Sequence, residues 1–355
     1  MTAPTSPKPV LVALSGGVDS SVAAALLLEQ GHEVTGVTMK LWGGESDTGC
    51  CSVSDVDDAR RVAQQLDIPF HVFNFGDDFD ADVVQPYVDA HAHGLTPNPC
   101  IECNRHLKFD KLLHRAEALG FDLVATGHHA RIVELPDGTR RLGRGADAKK
   151  DQSYVLHMLD QAQLGRVVLP LGHLTKDEVR AHAARLGLRT ATKPDSQDVC
   201  FITSTGGRTT FLGDRIPLAP GRVVDTAGTT VGTVDAVQLV TIGQRRGLAP
   251  GGDGTPRYAL DVDIERATVT IGTADDLLTH HVTIGQLAWA DQPIQGRVLV
   301  QCSAHGDPQP ASIHPSPDRP DEADVRFDER QRKIAPGQSV VLFHADLVQG
   351  GGIAR

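Results

Sequence analysis

The residues best suited to chemistry form the run S-G-G-V-D-S-S at residues 15–21. Apolar stretches at residues 10–14 and 22–28 flank it, a pattern that predicts a buried strand, a tight turn and a helix. Backbone N–H groups in such a turn, with the helix N-terminus behind them, form a binding site for an anion such as a phosphate. The adjacent Gly16 and Gly17 let the backbone approach a phosphate without a Cβ in the way. Asp19 is anionic, so we expect it to help hold a Mg²⁺ carried by a nucleotide.

This turn is not the Walker A element of P-loop proteins, because that element requires a lysine that the turn lacks. Its pattern, S-G-G-x-D-S, resembles the PP-loop of the ATP pyrophosphatases, which cleave ATP to AMP and pyrophosphate. A Gly-Gly pair alone would fit an ordinary strand-to-helix turn. All motif positions together, directly after a strand, favour the PP-loop.

Cysteines are the second set of reactive side chains. Cys100 and Cys103 form a C-x-x-C pair, Cys200 lies farther along the chain, Cys50 and Cys51 are adjacent, and Cys302 stands in a strand-like run. A C-x-x-C pair is typical of half a zinc site, of a redox pair or of a set of cluster ligands. The sequence has no second C-x-x-C and no H-x-x-H, which disfavours structural zinc. We interpret Cys302 and the Cys50-Cys51 pair as small buried side chains.

These residues need a scaffold, and the chain up to about residue 205 alternates strand and helix patterns. Strands are predicted at residues 34–39, 70–73 and 122–126, and helices at 55–66, 78–93, 107–119 and 176–186. Such alternation is typical of right-handed βαβ units and a doubly wound parallel sheet. The predicted fold class is therefore α/β. Ligands of this fold bind at the carboxyl ends of the strands, where residues 15–21, 39–42 and 126–129 are expected to lie.

After about residue 205 the pattern changes to short β-branched runs separated by Gly, Pro and Asp, which predicts two small β-rich domains. We predict domains at 1–205, 206–278 and 279–355, the last of them barrel-like. Residues 304–324, rich in Pro and Asp, are predicted to form a long surface loop. Residues 140–150 are predicted to form a basic loop-like segment.

The bulk composition narrows the function classes. A chain of 355 residues suffices for two or three domains and a sizeable core. Its net charge of −11 argues against a general nucleic-acid binder. Basic clusters near Lys150, Arg245 and Arg326 could still supply local contacts to phosphates. We find no apolar run long enough to span a membrane and no apolar core of a signal peptide, so we expect a cytoplasmic protein without a membrane partner.

Motifs over the whole chain resemble those of the tRNA-specific 2-thiouridylase family, which thiolates the wobble uridine of certain tRNAs. In chain order they are the PP-loop, T-P-N-P at 96–99, C-N at 103–104, K-F at 108–109, T-G-H at 126–128, K-D-Q-S-Y at 150–154, D-S at 195–196, C-F-I at 200–202, T-I-G-Q-R at 241–245, P-G-Q-S at 336–339 and G-G-G-I at 350–353. Because they keep the family's order across three domains, chance agreement is negligible.

The resemblance implies a tRNA-uridine 2-sulfurtransferase. ATP would adenylate the C2 carbonyl oxygen of the wobble uridine, and sulfur transfer would then give 2-thiouridine, AMP and pyrophosphate. By the same resemblance Cys103 is the nucleophile and Cys200 carries a persulfide, with a Cys103–Cys200 disulfide left to be reduced. The implied partners are the anticodon arm of a tRNA and a sulfur donor protein, either a cysteine desulfurase or a persulfide relay.

The resemblance also implies binding residues. Nucleotide contacts are implied at Ala13, Leu14, Ser15, Gly16, Gly17, Val18, Asp19, Ser20, Met39 and Gly127. The target base would face Asn98, Pro99 and Cys100, and the rest of the tRNA would contact His128, Lys150, Asp151, Gln152, Arg326, Phe327 and Gln338.

The chain departs from the commonest family pattern at Cys100, where many members carry an acid. Cys100, Cys103 and Cys200 could ligate three irons of a [4Fe–4S] cluster and leave the fourth iron open for sulfide. Alternatively, Cys100 is a spare thiol beside a persulfide pair. A smaller departure is Val240-Thr241, where members often have an aromatic residue before I-G-Q-R.

Two other function classes compete with this one. A PP-loop ligase or amidotransferase acting on a small acid would use ATP, but it would need neither Cys103 and Cys200 nor two β-rich domains. A non-catalytic RNA-binding module would leave the PP-loop unexplained.

Overall fold

The computed structural model describes residues 7–41, 53–195, 199, 201–202, 207–248 and 254–355. Its strands, in chain order, are β1 (Pro9–Ala13), β2 (Glu33–Lys40), β3 (Phe70–Asn74), β4 (Leu123–Ala125), β5 (Ala130–Glu134), β6 (Arg140–Arg144), β7 (Val167–Val168), β8 (Gly221–Val224), β9 (Thr230–Val234), β10 (Tyr258–Asp263), β11 (Thr268–Gly272), β12 (Leu278–Trp289), β13 (Gly296–Gln301), β14 (Gln309–Pro315), β15 (Glu322–Arg332), β16 (Ser339–His344) and β17 (Leu347–Ala354).

Its α-helices are α1 (Val18–Glu29), α2 (Val53–Gln65), α3 (Gly76–Phe79), α4 (Gln85–Ala92), α5 (Pro99–Glu102), α6 (Leu112–Ala118), α7 (Gln161–Arg166), α8 (Lys176–Arg185) and α9 (Gly207–Gly213). Helical turns of π type cover Asp80–Val84 and Cys103–Lys111, and 3₁₀ turns cover Ser153–Leu156 and Val237–Leu239. Within the described part of the chain, every helix is too short or too polar to cross a membrane.

The chain divides into two compact units. The first comprises Met1–Val83, Pro99–Thr205 and Asp346–Val348, and the second Val84–Asn98, Gly206–Ala345 and Gln349–Arg355.

A parallel five-stranded sheet is the centre of the first unit. Its strand order is β3-β2-β1-β4-β7, and all four neighbouring pairs are parallel. β1 forms because Val10, Leu11 and Val12 make a continuous apolar run, and all three are fully buried, as expected for a strand covered on both faces. The strand order reverses between β3 and β4, and right-handed crossovers then place helices on both faces. The predicted doubly wound α/β fold is confirmed.

The reversal also fixes where a ligand can bind. β1 and β4 lie side by side, with Val12 beside Ala125, so the chain leaves both strands at the same edge of the sheet. The PP-loop follows β1 there, and residues 126–129 follow β4. This edge is the topological switch point at which open α/β sheets bind their ligands.

The second unit is β-rich, as predicted. β10, β11, β8 and β9 form one sheet in that order, and β12-β15-β14-β13-β16-β17 form a barrel that the β12–β17 pairing closes. The barrel interior is filled by alternate apolar residues of its strands, among them Val300, Ile313 and Val325, which are fully buried. This period of two is what a strand with one buried face requires.

Two sequence predictions about local structure were wrong. Residues 304–324 are not one long loop, because β14 spans Gln309–Pro315 and β15 begins at Glu322. Ala311 and Ile313 point into the barrel there, a signal that the flanking prolines obscure in the sequence. The basic segment at 140–150 is likewise not all loop, because Arg140–Arg144 forms β6, paired with β5 around the buried Leu142.

Candidate active site at the edge of the parallel sheet

The PP-loop enters α1 with its first helical turn open to a ligand. Gly17 is the N-cap residue, and none of the described side chains caps the helix, so the loop offers backbone N–H groups and the positive end of the helix dipole. Inside the loop, Ser15 N donates to Ser20 Oγ over 3.1 Å, and Ser21 Oγ donates to the Gly17 carbonyl over 2.7 Å. Gly16 has φ +71°, and a Cβ there would lie 2.5 Å from a backbone carbonyl oxygen of α2. The loop is therefore built around glycine and suited to an anion.

Gly127, the second residue after β4, packs against this loop. A Cβ on Gly127 would lie 2.6 Å from the backbone N of Ser20 and 2.7 Å from the carbonyl carbon of Asp19. Real Cβ atoms do not approach backbone this closely, so only glycine fits. The structure thus brings the sequence-predicted nucleotide residue Gly127 against the PP-loop.

His128 is buried beside Gly127 and does not present its ring to solvent. Its Nδ1 lies 2.7 Å from Thr126 Oγ1, and its ring centroid lies 5.8 Å from that of Phe109. Burial first, and then the charges of Lys108 and His129, hold the pKa of His128 well below its ordinary value, so its ring is neutral at pH 7. A direct tRNA contact of this side chain, implied by the resemblance, stays a prediction.

Acidic and basic side chains alternate along a row that starts at the loop. The Nζ of Lys176 lies 2.7 Å from both carboxylate oxygens of Asp19 and 2.9 Å from Oδ1 of Asp195. The Nε2 of His129 lies 3.2 Å from Asp19 Oδ1, and the Nζ of Lys150 lies 2.7 Å from Asp195 Oδ2. These five residues, His129, Asp19, Lys176, Asp195 and Lys150, are called the charge row below.

Both carboxylates of the charge row are ionised at neutral pH. Burial raises the pKa of Asp19, but hydrogen bonds from His129 and Lys176, with the charge of Lys176, outweigh burial and lower that pKa overall. Burial likewise raises the pKa of Asp195, while Lys150 and Lys176 lower it further, to about 2. Charged groups with shifted pKa values at the mouth of a ligand site are typical of functional sites.

The sequence alone does not reveal two members of the charge row. Its pattern predicts only that Lys176 begins a helix, and it predicts no role for His129. The structure gives Asp19 an ammonium and an imidazole as partners, and the role of Asp19 in holding Mg²⁺ stays a prediction. Among the described residues, no group of three or more His, Cys, Asp and Glu side chains is arranged to hold a metal ion.

The C-x-x-C cysteines lie on one continuous helical run. Cys100 is in α5 and Cys103 opens the π-type turn that follows, and both are partly exposed. Residues three apart share a helix face, so the two thiols point the same way. The buried Asn104 anchors this run, because its Nδ2 donates to the Val155 carbonyl over 3.0 Å.

Of the other four cysteines, Cys302 lies within the described residues. Cys200, Cys50 and Cys51 lie outside the described residues, so the Cys103–Cys200 pairing and the three-cysteine ligand set stay predictions. Cys302 packs against the barrel core, and burial raises the pKa of its thiol to about 12. A thiol that stays protonated is a poor nucleophile. The interpretation of Cys302 as a small apolar side chain agrees with this position.

The remaining sequence-predicted residues divide between the two units. In the first, Met39 is buried at the end of β2, and Gln152 pairs with His129 through two hydrogen bonds of 2.9 Å. The carboxylate of Asp151 is used within the protein, because it accepts hydrogen bonds from Arg144, Gly145 and Ser153.

In the second unit, Arg326 is exposed on β15 and Gln338 Nε2 donates to the Thr96 carbonyl over 3.4 Å. Asn98 ends the first segment of that unit, and Pro99 begins α5 of the other. Phe327 is 4% exposed and belongs to the barrel core, so its ring is not available to RNA. The residues that the structure brings together are therefore those of the PP-loop with Gly127, His128, Lys150 and Gln152.

Comparisons with known proteins cover nearly the whole chain. Three family models match in succession: a tRNA methyl transferase HUP domain at residues 8–204, a tRNA methyl transferase PRC-barrel domain at 209–273 and an aminomethyltransferase beta-barrel domain at 279–354. The tRNA-specific 2-thiouridylase MnmA of Chloroflexus aurantiacus is 47% identical over 98% of each chain. The protein of the same name from Mycobacteroides abscessus is 47% identical over 95% of each chain. The domain bounds after residues 205 and 278 remain predictions.

Proposed function

Because this chain belongs to the tRNA-specific 2-thiouridylase family, we propose that it thiolates the wobble uridine of tRNA at the edge of its parallel sheet. The observation that carries the proposal is the junction of the PP-loop, Gly127 and the charge row, which suits a bound ATP. The reaction has two steps, and different residues carry each of them.

In the first step the C2 oxygen of uridine attacks the α-phosphorus of ATP. A bond forms between that oxygen and phosphorus, the bond to the bridging oxygen of the β-phosphate breaks, and pyrophosphate leaves with the electron pair. The N3 proton of the base passes to water. The backbone N–H groups of the PP-loop and the dipole of α1 stabilise the phosphate charge. The product is a uridine whose C2 carries AMP as a leaving group.

In the second step sulfur replaces that AMP. The terminal sulfur of a persulfide on Cys200 attacks C2, and AMP departs with the original carbonyl oxygen. The Cys103 thiolate then attacks the Cys200 sulfur and breaks the S–S bond. The released sulfur stays on C2, and N3 regains a proton from water to give the C2 thiocarbonyl. The resulting Cys103–Cys200 disulfide is reduced by a cellular thiol, which places the enzyme in the reducing cytoplasm.

Mg²⁺ and a [4Fe–4S] cluster fit the residues of this site to different degrees. Mg²⁺ would accompany ATP, but the Asp19 carboxylate is already engaged by Lys176 and His129, so we derive no step through the metal. Cys100 and Cys103, three residues apart on one helical run, fit as two adjacent ligands of a [4Fe–4S] cluster that would offer an iron to sulfide. Iron and acid-labile sulfide after anaerobic purification, lost in Cys100→Ser but kept in Cys302→Ser, would favour the cluster over the persulfide.

We propose that Lys149 binds a phosphate of the tRNA and that Asp151 supports the surrounding segment from inside the protein. Lys149 is exposed beside the charge row, whereas Lys150 is held by Asp195, so Lys149 is better placed to meet an RNA phosphate. Asp151 holds residues 144–153 in shape and acts as a positioning residue. The sulfur donor is a protein persulfide, supplied by a cysteine desulfurase or a relay.

The direct test combines ATP, a persulfide donor and an unmodified tRNA with uridine at the wobble position. We expect 2-thiouridine in the nucleoside mass spectrum and equal amounts of AMP, and we expect neither with a tRNA that carries cytidine there. ATP–pyrophosphate exchange driven by a small carboxylic acid without tRNA would instead indicate a ligase. A methylated uridine would contradict the assignment in favour of the reaction that the family models name.

A further inference from the structure

Lys176 occupies a position that is unfavourable for a lysine. It is the first residue of α8, and cations are destabilised at a helix N-terminus by the helix dipole. Its side chain is only 10% exposed, so the ammonium has also lost most of its hydration. A capping box between Thr175 and Glu178 fixes this start of the helix, so the lysine cannot move away by fraying.

The ammonium of Lys176 lies at the PP-loop, which has no cation of its own. Residues 15–21 contain no Lys or Arg, and Asp19 adds a negative charge where a triphosphate would bind. Lys176 Nζ reaches both oxygens of Asp19 and, through its third hydrogen, Asp195. The ammonium therefore offsets the charge of Asp19. It binds three carboxylate oxygens beside the PP-loop, where it could bind phosphate oxygens in their place.

A purely structural role explains this arrangement poorly. α1 and α8 already pack through apolar residues, including the buried Val22, Val179 and Ala183, so their contact does not need an ion pair. Buried ion pairs are also weak stabilisers, because desolvation offsets much of the attraction between the charges.

We propose that Lys176 is the cation that binds the β- and γ-phosphates of ATP and stabilises the pyrophosphate as it leaves. Asp19 and Asp195 are positioning residues that hold the ammonium at the loop and exchange one carboxylate oxygen for a phosphate oxygen when ATP binds. This deepens the proposed function and rests on it, because the pyrophosphate is the leaving group of the adenylation step. The lysine thus comes from a helix remote in sequence rather than from the loop itself.

The test uses inorganic pyrophosphate as a probe, because its binding requires no turnover. We expect Lys176→Met to weaken pyrophosphate binding, measured by calorimetry on the full-length protein, by about 10²-fold while AMP affinity changes less than about threefold. Lys176→Arg should recover part of the binding. Lys111→Ala is the matched control, since Lys111 makes an ion pair of the same length, 2.7 Å, with the Asp78 side chain, and it should bind pyrophosphate normally.

Loss of folding is separated from loss of the phosphate contact by a double variant. Lys176→Met with Asp19→Asn removes both charges together, so the melting temperature should recover while pyrophosphate binding does not. Pyrophosphate binding within about threefold of wild type in either folded variant would overturn the proposal. If wild type binds pyrophosphate through Lys176 but forms no AMP with tRNA, the lysine assignment stands and the proposed function fails.

Discussion

Replacing Gly127 with alanine is expected to lower tRNA-dependent AMP formation by about 10²-fold or more, because the added methyl group has no room. It would lie 2.6 Å from the backbone N of Ser20 and 2.7 Å from the carbonyl carbon of Asp19, and both are backbone atoms that cannot rotate away. The PP-loop must then shift by a few tenths of an ångström to an ångström, a displacement that costs this much when it moves groups aligned for reaction. Overpacking should also lower the free energy of unfolding by roughly 1–3 kcal/mol.

The matched control is Gly165→Ala. Gly165 lies in α7 of the same unit, and a Cβ there would meet no atom within 4 Å beyond its chain neighbours and the backbone of its own helix. Alanine is the better helix former by about 1 kcal/mol, so this variant should be as stable as wild type or more so, with normal AMP formation. Steady-state AMP release and thermal melting of both variants test the prediction. A folded Gly127→Ala protein with wild-type AMP release would show that the loop does not carry the chemistry.

Cys103→Ser is expected to stop the reaction within its second step, after AMP has left and before the thiolated base is released. Thionucleoside formation should fall by more than about 10³-fold, because a serine hydroxyl is not ionised at neutral pH and cannot release the sulfur from Cys200. Adenylation should persist, because the phosphates are bound by the PP-loop and the charge row and not by this thiol. A single-turnover assay should show about one AMP released per enzyme and tRNA held on Cys200 through a disulfide, without free 2-thiouridine.

Cys302 supplies the control for this substitution. Its thiol is held protonated by burial in the barrel, so Cys302→Ala should form 2-thiouridine at the wild-type rate. Multiple turnovers by Cys103→Ser with a protein persulfide donor would remove Cys103 from the sulfur-transfer step. Loss of adenylation as well in Cys103→Ser would mean that this thiol also shapes the nucleotide site.

Local features of the site could be predicted from the sequence because neighbouring residues determine them. The PP-loop is recognisable from the apolar run before it, its two glycines and the helix after it. The edge of the sheet at which β1 and β4 end follows from the alternation of strands and helices alone. The C-x-x-C pair is a local pattern too, whereas the position of Gly127 and the separate roles of Cys103 and Cys200 come from the family resemblance.

What the sequence did not reveal depends on contacts between distant residues. Lys176 and Asp19 are 157 positions apart, and the local signal is a lysine at the first helical position inside a capping box, where a cation is unfavourable. The burial of Phe327 and the presence of strand β14 could not be predicted from the sequence for a related reason. Their side-chain alternation has meaning only once the barrel closes and decides which face is the interior.

The most direct test of the account follows the fate of one oxygen atom. A tRNA is prepared with ¹⁸O at C2 of the wobble uridine and incubated with the enzyme, ATP and a persulfide donor, and the released AMP is analysed by mass spectrometry. If the C2 oxygen attacks the α-phosphorus, every 2-thiouridine formed releases one AMP that carries the ¹⁸O in its phosphate. AMP without ¹⁸O, formed together with 2-thiouridine, would contradict adenylation of the uridine and with it the proposed mechanism.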